Sequence, residues 1–299
     1  NQRSVTYPVA STSMITPLAS SEWAGERGAR WNAHVAGLEA MLRPIDEPLT
    51  RALRLDAPCR IADVGCGGGG ATAEIGRRAP PGSVVHGFDI SPDLVASART
   101  RHGSKAGTLA FGVADVATAL APEVLYDRLV SRFGILFFDD PAAAFANLVR
   151  WLAPGGRVAF AVWGPPDENP WTSSMSEVVA DFIDLPRPAP DAPCAFRYAD
   201  VDNVLALLGE AGLSHLDVHD WRGALSLGGG LAAAEAAHFA LASSSVGELV
   251  ADAGDQVFDA VRHALTRRFS RYEQGGSVRM DAYVHIVTGA HAGGENGRV

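Results

Sequence analysis

Five glycines crowd the stretch Ala62-Asp63-Val64-Gly65-Cys66-Gly67-Gly68-Gly69-Gly70, which follows a short apolar run and opens a segment of helical spacing. Glycine is needed where a ligand must lie against bare backbone and where a turn requires positive φ. Gly65, Gly67 and Gly70 satisfy the spacing G-x-G-x-x-G, and Asp89 follows about 20 residues later, at a strand end where a carboxylate can accept from ribose hydroxyls. Taken alone, that pattern fits a dinucleotide site. Three features argue for a different nucleoside ligand. Asp63 puts a carboxylate beside the loop, which disfavours a pyrophosphate and suits a ligand bearing an ammonium group. The single lysine, Lys105, has no tyrosine four positions before it, so the Tyr-x-x-x-Lys pair of short-chain dehydrogenases is missing. The turn Leu152-Ala153-Pro154-Gly155-Gly156-Arg157 leads into another apolar strand, a feature a dehydrogenase does not require.

These residues need a scaffold, and the hydrophobic pattern supplies one. Short apolar runs at 61–64, 84–88, 109–113, 129–132 and 158–163 predict buried strands, with helices over 71–78, 92–101 and 141–152 between them. Such alternation implies a doubly wound parallel sheet that binds ligands outside the carboxyl ends of its strands. The chemistry is therefore expected just after Val64, Phe88, Val113, Val130 and Val162. Upstream, Trp23, Trp31, Val35, Leu38 and Leu42 share one face of a helix over 21–42, which Pro44 ends, and a second helix runs to about Leu55. Downstream come a Pro-rich insertion with a helix over 175–183, a helix over 200–211, a strand over 213–221 and a last strand over 279–288. A mostly helical insertion over 232–272, broken near 243–245 and 254, separates the last two strands.

With these positions in place, the chain resembles the class I S-adenosylmethionine (SAM)-dependent methyltransferases, strongly over 60–163 and weakly over 196–221. Asp63-x-Gly65-x-Gly67-x-Gly69 is similar to that family's first motif, Asp89 to its second acidic position and Asp115 to its adenine-contacting acid. Tyr126-Asp127-Arg128-Leu129-Val130-Ser131 is similar to the fourth-strand motif, and Leu-x-Pro-Gly-Gly at 152–156 to the turn before strand five. Ser131-Arg132-Phe133-Gly134-Ile135-Leu136-Phe137-Phe138, Asp140-Pro141, and Trp163 with Asn169-Pro170-Trp171 resemble, more narrowly, a bacterial small-molecule group related to the ubiquinone/menaquinone C-methyltransferases. The helical insertions depart from the quinone enzymes and favour specialised metabolism.

The resemblance implies an α/β fold: a Rossmann-like, doubly wound, seven-stranded sheet whose last strand is antiparallel, with N-terminal helices and helical insertions forming a lid. The expected organisation is a flexible tail (1–20), an N-terminal helical lid (21–56), the SAM-binding core (57–164), a substrate cap (165–196), a core continuation (197–230), a second cap (231–276), and the last strand with its tail (277–299), of which the stretch from 289 reads as mobile. Backbone amides of Gly65, Cys66 and Gly67 would approach the amino-acid portion of SAM, and Asp63 would hold its ammonium group. Asp89 would take both ribose hydroxyls and Ile90 the adenine face. Ala114, Asp115 and Val116 would meet the adenine edge, while Ser131, Arg132 and Phe133 line the methionine side. Trp31, on the lid helix with Trp23 and Arg30, would close over the cofactor, although a tryptophan pair at helical spacing also makes ordinary core.

Methyl transfer from a sulfonium is an in-line displacement governed by positioning and exclusion of water. A general base would assist a phenol, amine or activated carbon, and Glu168, His34, His219 and His238 are the candidates; Glu168 ranks first because it follows strand five on the ligand side. A cationic intermediate on a carbon acceptor would instead need aromatic faces, for which Phe133, Phe137, Trp163, Trp171 and Phe239 are the candidates. His215 and His219 lie four apart on a strand, hence on one face, but without an acidic or cysteine partner nearby they predict no metal site. Asn169-Pro170-Trp171 lacks the second proline of the adenine-methylating motif, stands one strand too late, and reads as a loop clasp.

Composition removes other classes. Asp plus Glu is 34 against 25 for Lys plus Arg, and the net charge of -9 opposes nucleic-acid phosphate. Apolar stretches fall far short of the roughly 20 residues a membrane span needs, and Cys59, Cys66 and Cys194 have no disulfide or zinc spacing. The expectation is a cytoplasmic monomer or homodimer, with no nucleic-acid or membrane partner. It would transfer a methyl group from SAM to a carbon, nitrogen or oxygen of a small, possibly aromatic or indole-like metabolite. A nicotinamide-dependent oxidoreductase and a non-catalytic SAM-binding protein are the alternatives.

Overall fold

A computed structural model describes residues 20–103, 108–186, 189 and 192–292. Lys105, residues 1–19 and residues 293–299 of the expected tails lie outside the described residues. Eight strands form: β1 (Arg60–Val64), β2 (Val84–Asp89), β3 (Leu109–Val113), β4 (Tyr126–Arg132), β5 (Leu152–Trp163), β6 (Leu213–Ser226), β7 (Glu273–Gln274) and β8 (Ser277–His291). Seven of them follow the order β3-β2-β1-β4-β5-β8-β6, and β7 only folds back on β8 as a hairpin. β1 to β5 are parallel, and the last strand, β8, is antiparallel to both neighbours. The strand order reverses between β1 and β4, opening the crevice where such sheets bind ligands.

Strand formation follows burial. β1 is buried from Ile61 to Val64, and the last six residues of β5 are all buried, so continuous apolar runs are what these positions require. The final two strands outrun the expectation, β6 continuing past Trp221 to Ser226 and β8 running from Ser277 to His291. Gly289 pairs with Val158, so residues 289–291 belong to the sheet rather than to a mobile tail.

At the N-terminus the single helix expected over 21–42 is three: α1 (Ser20–Trp23), α2 (Glu26–Ala33) and α3 (Val35–Leu42), followed by α4 (Asp46–Ala52). Gly25 and His34 leave helical geometry, at φ -119°, ψ -131° and φ -115°, ψ 11°. The apolar spacing could not register those bends, which wrap the segment over the curved end of the sheet. The core helix α5 (Gly70–Arg78) starts after Gly69 without a side-chain cap, whereas α6 (Pro92–His102) and α7 (Pro141–Trp151) begin where capping chemistry predicts. Ser91 Oγ accepts from Leu94 N and Asp140 Oδ1 from Ala143 N, each with proline in the first turn.

In the first insertion α8 (Pro170–Ala180) starts five residues earlier than its apolar spacing suggests, with proline at its first position. α9 (Val201–Glu210) is capped by Asp200. The second insertion folds as α10 (Ala233–Ser243), α11 (Ser245–Asp252) and α12 (Asp255–Phe269), interrupted at Ser244 and at Ala253-Gly254. These cap helices have their own apolar core, including Val179, Leu241, Val250, Leu265 and Phe269, into which β8 contributes Val278 and Met280. Among the described residues no helix is long and apolar enough to cross a membrane, and no cluster of three or more metal-ligating side chains occurs.

Candidate functional site

β1 ends at Val64 and the chain turns at Gly65 with φ 70°, where a Cβ would stand 2.8 Å from the Cα of Gly134 after β4. Only glycine fits both the dihedral and the approach. Five amide hydrogens of this loop are engaged within the protein. Gly65 N and Cys66 N donate to Phe88 O at 2.8 and 2.9 Å, Gly67 N to Asp89 Oδ2 at 2.8 Å, Gly69 N to Cys66 O at 3.0 Å and Gly70 N to Glu39 Oε1 at 2.8 Å. The Gly65, Cys66 and Gly67 amides, expected to approach a ligand, thus donate to the sheet and to Asp89. An anion-binding loop offers free N–H groups, so this one is ill-suited to a pyrophosphate.

Acidic side chains stand at the three strand ends. Asp63 is 1% exposed and accepts from Thr72 Oγ1 at 2.6 Å. Burial outweighs that bond and pushes its carboxyl up to about 6. A raised acid pKa means that the native state binds the proton more tightly than the unfolded chain; the stabilisation is complete below the unfolded value and disappears as pH rises through about 6. Against Asp63→Asn, the unliganded protein should gain about 1–3 kcal/mol between pH 7 and pH 4, as read by thermal unfolding of both at each pH. Asp89 is also buried and its carboxyl raised by burial, while Gly67 N and Ser91 N donate to its two oxygens. Asp115 holds its own turn through Ala117 N and Thr118 Oγ1.

Asp63, Gly65, Cys66, Gly67, Asp89 and Ile90 line one cavity of about 200 Å³. Ala114, Asp115 and Val116 border it on the side of β3, Arg132 and Phe133 on the side of β4, and Trp31 from the lid. Ser131 does not: its hydroxyl donates to Val64 O at 2.7 Å and accepts from Gly134 N at 3.1 Å, behind the wall, where it braces β1 against β4. Arg132 is committed to a buried ion pair with Asp46 of α4. Glu39 of α3, a wall residue the sequence reading missed, pairs with Arg101 at 2.6 Å. Its signal was too ordinary, one glutamate on an amphipathic helix. The Cys66 thiol is pushed well above its usual range, chiefly by burial, and acts as inert wall.

A second cavity of about 160 Å³ continues from the first and shares Trp23, Trp31, Phe137 and Trp171 with it. Phe133 lies flat on Trp163, centroids 4.0 Å apart, on the cofactor side; Phe239 lies in the second chamber only. Thus four of the five expected aromatic walls border the first cavity and the fifth faces its extension. Asn169 is the clasp expected: fully buried, it donates to Gly164 O, Pro165 O and Tyr283 O, and accepts from Tyr283 N and Trp171 Nε1.

None of the four candidate bases, Glu168, His34, His219 and His238, lines either chamber. Glu168 forms an ion pair with Arg222 on the outside, and the Arg222 guanidinium lowers its carboxyl. Glu168→Gln should leave methyl-transfer turnover within about twofold of wild type, as expected of a surface substitution, measured as initial rate. His219 is exposed on β6, the edge strand. The pairing register of β6 also slips between Ser214 and Asp217, with His215 at φ 51°, so the regular alternation that would align His215 with His219 fails. His34 and His238 face a separate open hollow beside Phe239, and burial, His238 and Arg30 lower the His34 pKa. No histidine lines either chamber.

α2 seats against the start of α6 through a close approach. A Cβ at Gly28 of α2 would lie 2.2 Å from Trp23 O and 2.5 Å from Ser91 Oγ. Gly28→Ala should push α2 off α6 and cost about 1–3 kcal/mol, read as roughly tenfold weaker S-adenosylhomocysteine binding by calorimetry.

Comparison with known proteins agrees with this geometry. The Methyltransferase domain family matches residues 61–156. Trans-aconitate 2-methyltransferase of Methylobacterium nodulans is 33% identical over 198 residues, covering 65% of this chain and 72% of that protein. Demethylmenaquinone methyltransferase of Thermus thermophilus is 34% identical over 113 residues, covering 38% of this chain and 51% of that protein. Among solved structures, the [4+2]-cyclase SpnF shares the fold with a TM-score of 0.53 at 17% identity, covering 94% of this chain and 100% of that one.

Proposed function

Since the chain belongs to the class I SAM-dependent methyltransferases, we propose that its small-molecule acceptor is a flat, largely apolar aromatic metabolite held in the second chamber. The observation that carries this reading is the shared wall of Trp23, Trp31, Phe137 and Trp171, which joins a nucleoside-shaped cleft to an aromatic box. SAM is the cofactor of this family and supplies an electrophilic methyl group on a sulfonium.

The chain's own residues divide the work. Asp89, held in place by Gly67 N and Ser91 N, keeps further lone pairs for the ribose hydroxyls. Ile90 packs on adenine, Ala114 borders the adenine edge, Asp115 accepts from the amino group and Val116 N–H donates. Asp63 and the loop of Gly65, Cys66 and Gly67 suit a ligand with an ammonium group, because the loop's amide hydrogens already have partners. Arg132 and Phe133 bound the methionine side, and Trp31 excludes water. With no histidine on either chamber wall, the residues act by orientation and exclusion of solvent; aromatic faces would stabilise positive charge developing on a carbon or nitrogen acceptor.

Residues 165–196 and 231–276 form, in this reading, the acceptor cap. Free Cys59, Cys66 and Cys194 and the net charge of -9 support a cytoplasmic enzyme that does not act on nucleic acid. Incubation with trideuteromethyl SAM and a small-molecule extract tests the function: products heavier by the labelled methyl group are expected. Tight S-adenosylhomocysteine binding with no labelled product from any extract would favour a non-catalytic binder, and NAD binding would favour an oxidoreductase.

A further inference from the structure

The two chambers differ in the charged side chains that line them. Glu39, Asp63, Asp89 and Asp115 line the cofactor cleft, with Arg132 neutralised by Asp46. Among the described residues, the charged ones that line the second chamber are Arg27 and Arg30. Both stand on α2, three residues apart and therefore on one face, and Trp31, four residues after Arg27, carries that face into the cofactor cleft.

The Arg27 guanidinium is poorly satisfied where it stands. Its side chain is only 12% exposed, yet its two ion-pair contacts, to Glu22 and Glu248, are both 3.4 Å long. A guanidinium fork offers five N–H donors and makes strong contacts with carboxylates at about 2.7–2.9 Å. Arg30 reaches Glu248 at 3.1 Å. Beside them Trp23 borders both chambers, its buried Nε1–H has no acceptor among the described residues, and Arg27 lies over its ring at 5.9 Å. Two guanidinium groups, one of them held only by long contacts, thus stand on one wall of an aromatic chamber.

We propose that this wall selects acceptors bearing a carboxylate: Arg27 and Arg30 anchor the group, and the aromatic walls hold the hydrocarbon body. The inference rests on the second chamber being the acceptor site. A local pair of arginines answers a specific difficulty, since a protein of net charge -9 otherwise repels an acid. Glu248 releases one pairing as the acid arrives, which keeps the exchange from being prohibitive for an unliganded buried cation.

Calorimetric titration of 3-phenylpropionate and its isosteric amide, 3-phenylpropionamide, into the protein saturated with S-adenosylhomocysteine tests this directly. The acid should bind at least tenfold tighter than the amide. In Arg27→Gln that preference should fall below threefold and in Arg27→Lys be partly kept, while S-adenosylhomocysteine binding stays within twofold of wild type in both. Equal or tighter binding of the amide, binding of neither probe, or a preference that survives unchanged in both Arg27→Gln and Arg30→Gln overturns the proposal. The wild-type comparison decides it even where a variant fails to fold. Failure of S-adenosylhomocysteine itself to bind would instead bring down the cofactor assignment.

Discussion

Replacing Asp89 by alanine should weaken S-adenosylhomocysteine binding by at least tenfold and lower thermal stability in the same variant. The carboxylate is 8% exposed and has two backbone partners, Gly67 N at 2.8 Å and Ser91 N at 2.9 Å. Its removal leaves both N–H groups without acceptors, at about 1–3 kcal/mol for each buried orphan. The first fixes the glycine loop and the second the start of α6, so loop geometry and helix capping fail together. Loss of the ribose acceptor adds about 1–3 kcal/mol to the binding deficit, or roughly ten- to a hundredfold in affinity. Calorimetry and thermal unfolding separate the two contributions. A variant that loses stability but binds S-adenosylhomocysteine as well as wild type would remove Asp89 from the cofactor site and leave it as a clasp.

Arg132→Met should be the most destabilising single change in the crevice, at about 3–5 kcal/mol. Arg132 and Asp46 are 9% and 8% exposed at their side chains and pair only across the gap between β4 and α4. Burial already holds the Asp46 carboxyl above its usual range, with Arg132 pulling it back. Without the guanidinium the acid rises further. Because a raised acid pKa withdraws stability as pH increases, the deficit of Arg132→Met should be largest at pH 7 and shrink toward pH 4. The double variant Asp46→Leu/Arg132→Met should recover most of the loss, since two apolar groups of similar size replace a pair that had to be desolvated. Urea unfolding of the four proteins of the cycle measures this. A single-variant loss below about 1 kcal/mol would mean that water screens the pair.

The parts of this molecule that were legible in its sequence are those whose position depends on neighbours along the chain. A glycine loop must follow the strand that ends at Val64, and Asp89 and Asp115 must lie at or just past the next strand ends, because strand, turn and helix are contiguous there. The Asn169 clasp was readable for the same reason: its carbonyl partners at 164 and 165 are its own loop. What failed depends on contacts distant in sequence. Glu168 follows β5 as expected but meets Arg222, 54 residues away, and turns outward. The candidacy of His219 depended on where β6 would sit, and it sits at the sheet's edge. Ser131 was read as facing the ligand, whereas the close approach of Gly65 to Gly134 turns its hydroxyl into a brace. The bends at Gly25 and His34 were hidden because apolar residues on one straight helix face and on three short wrapped ones give the same spacing.

Trp31 borders both compartments at once, while the cap helices are anchored on Val278 and Met280 of the sheet's own last strand. The insertion helices are therefore tied to the sheet itself, whereas α1 and α2 reach the same cavities from the N-terminal segment. One side chain thus forms part of both walls, so a change at Trp31 should be felt in the two compartments together.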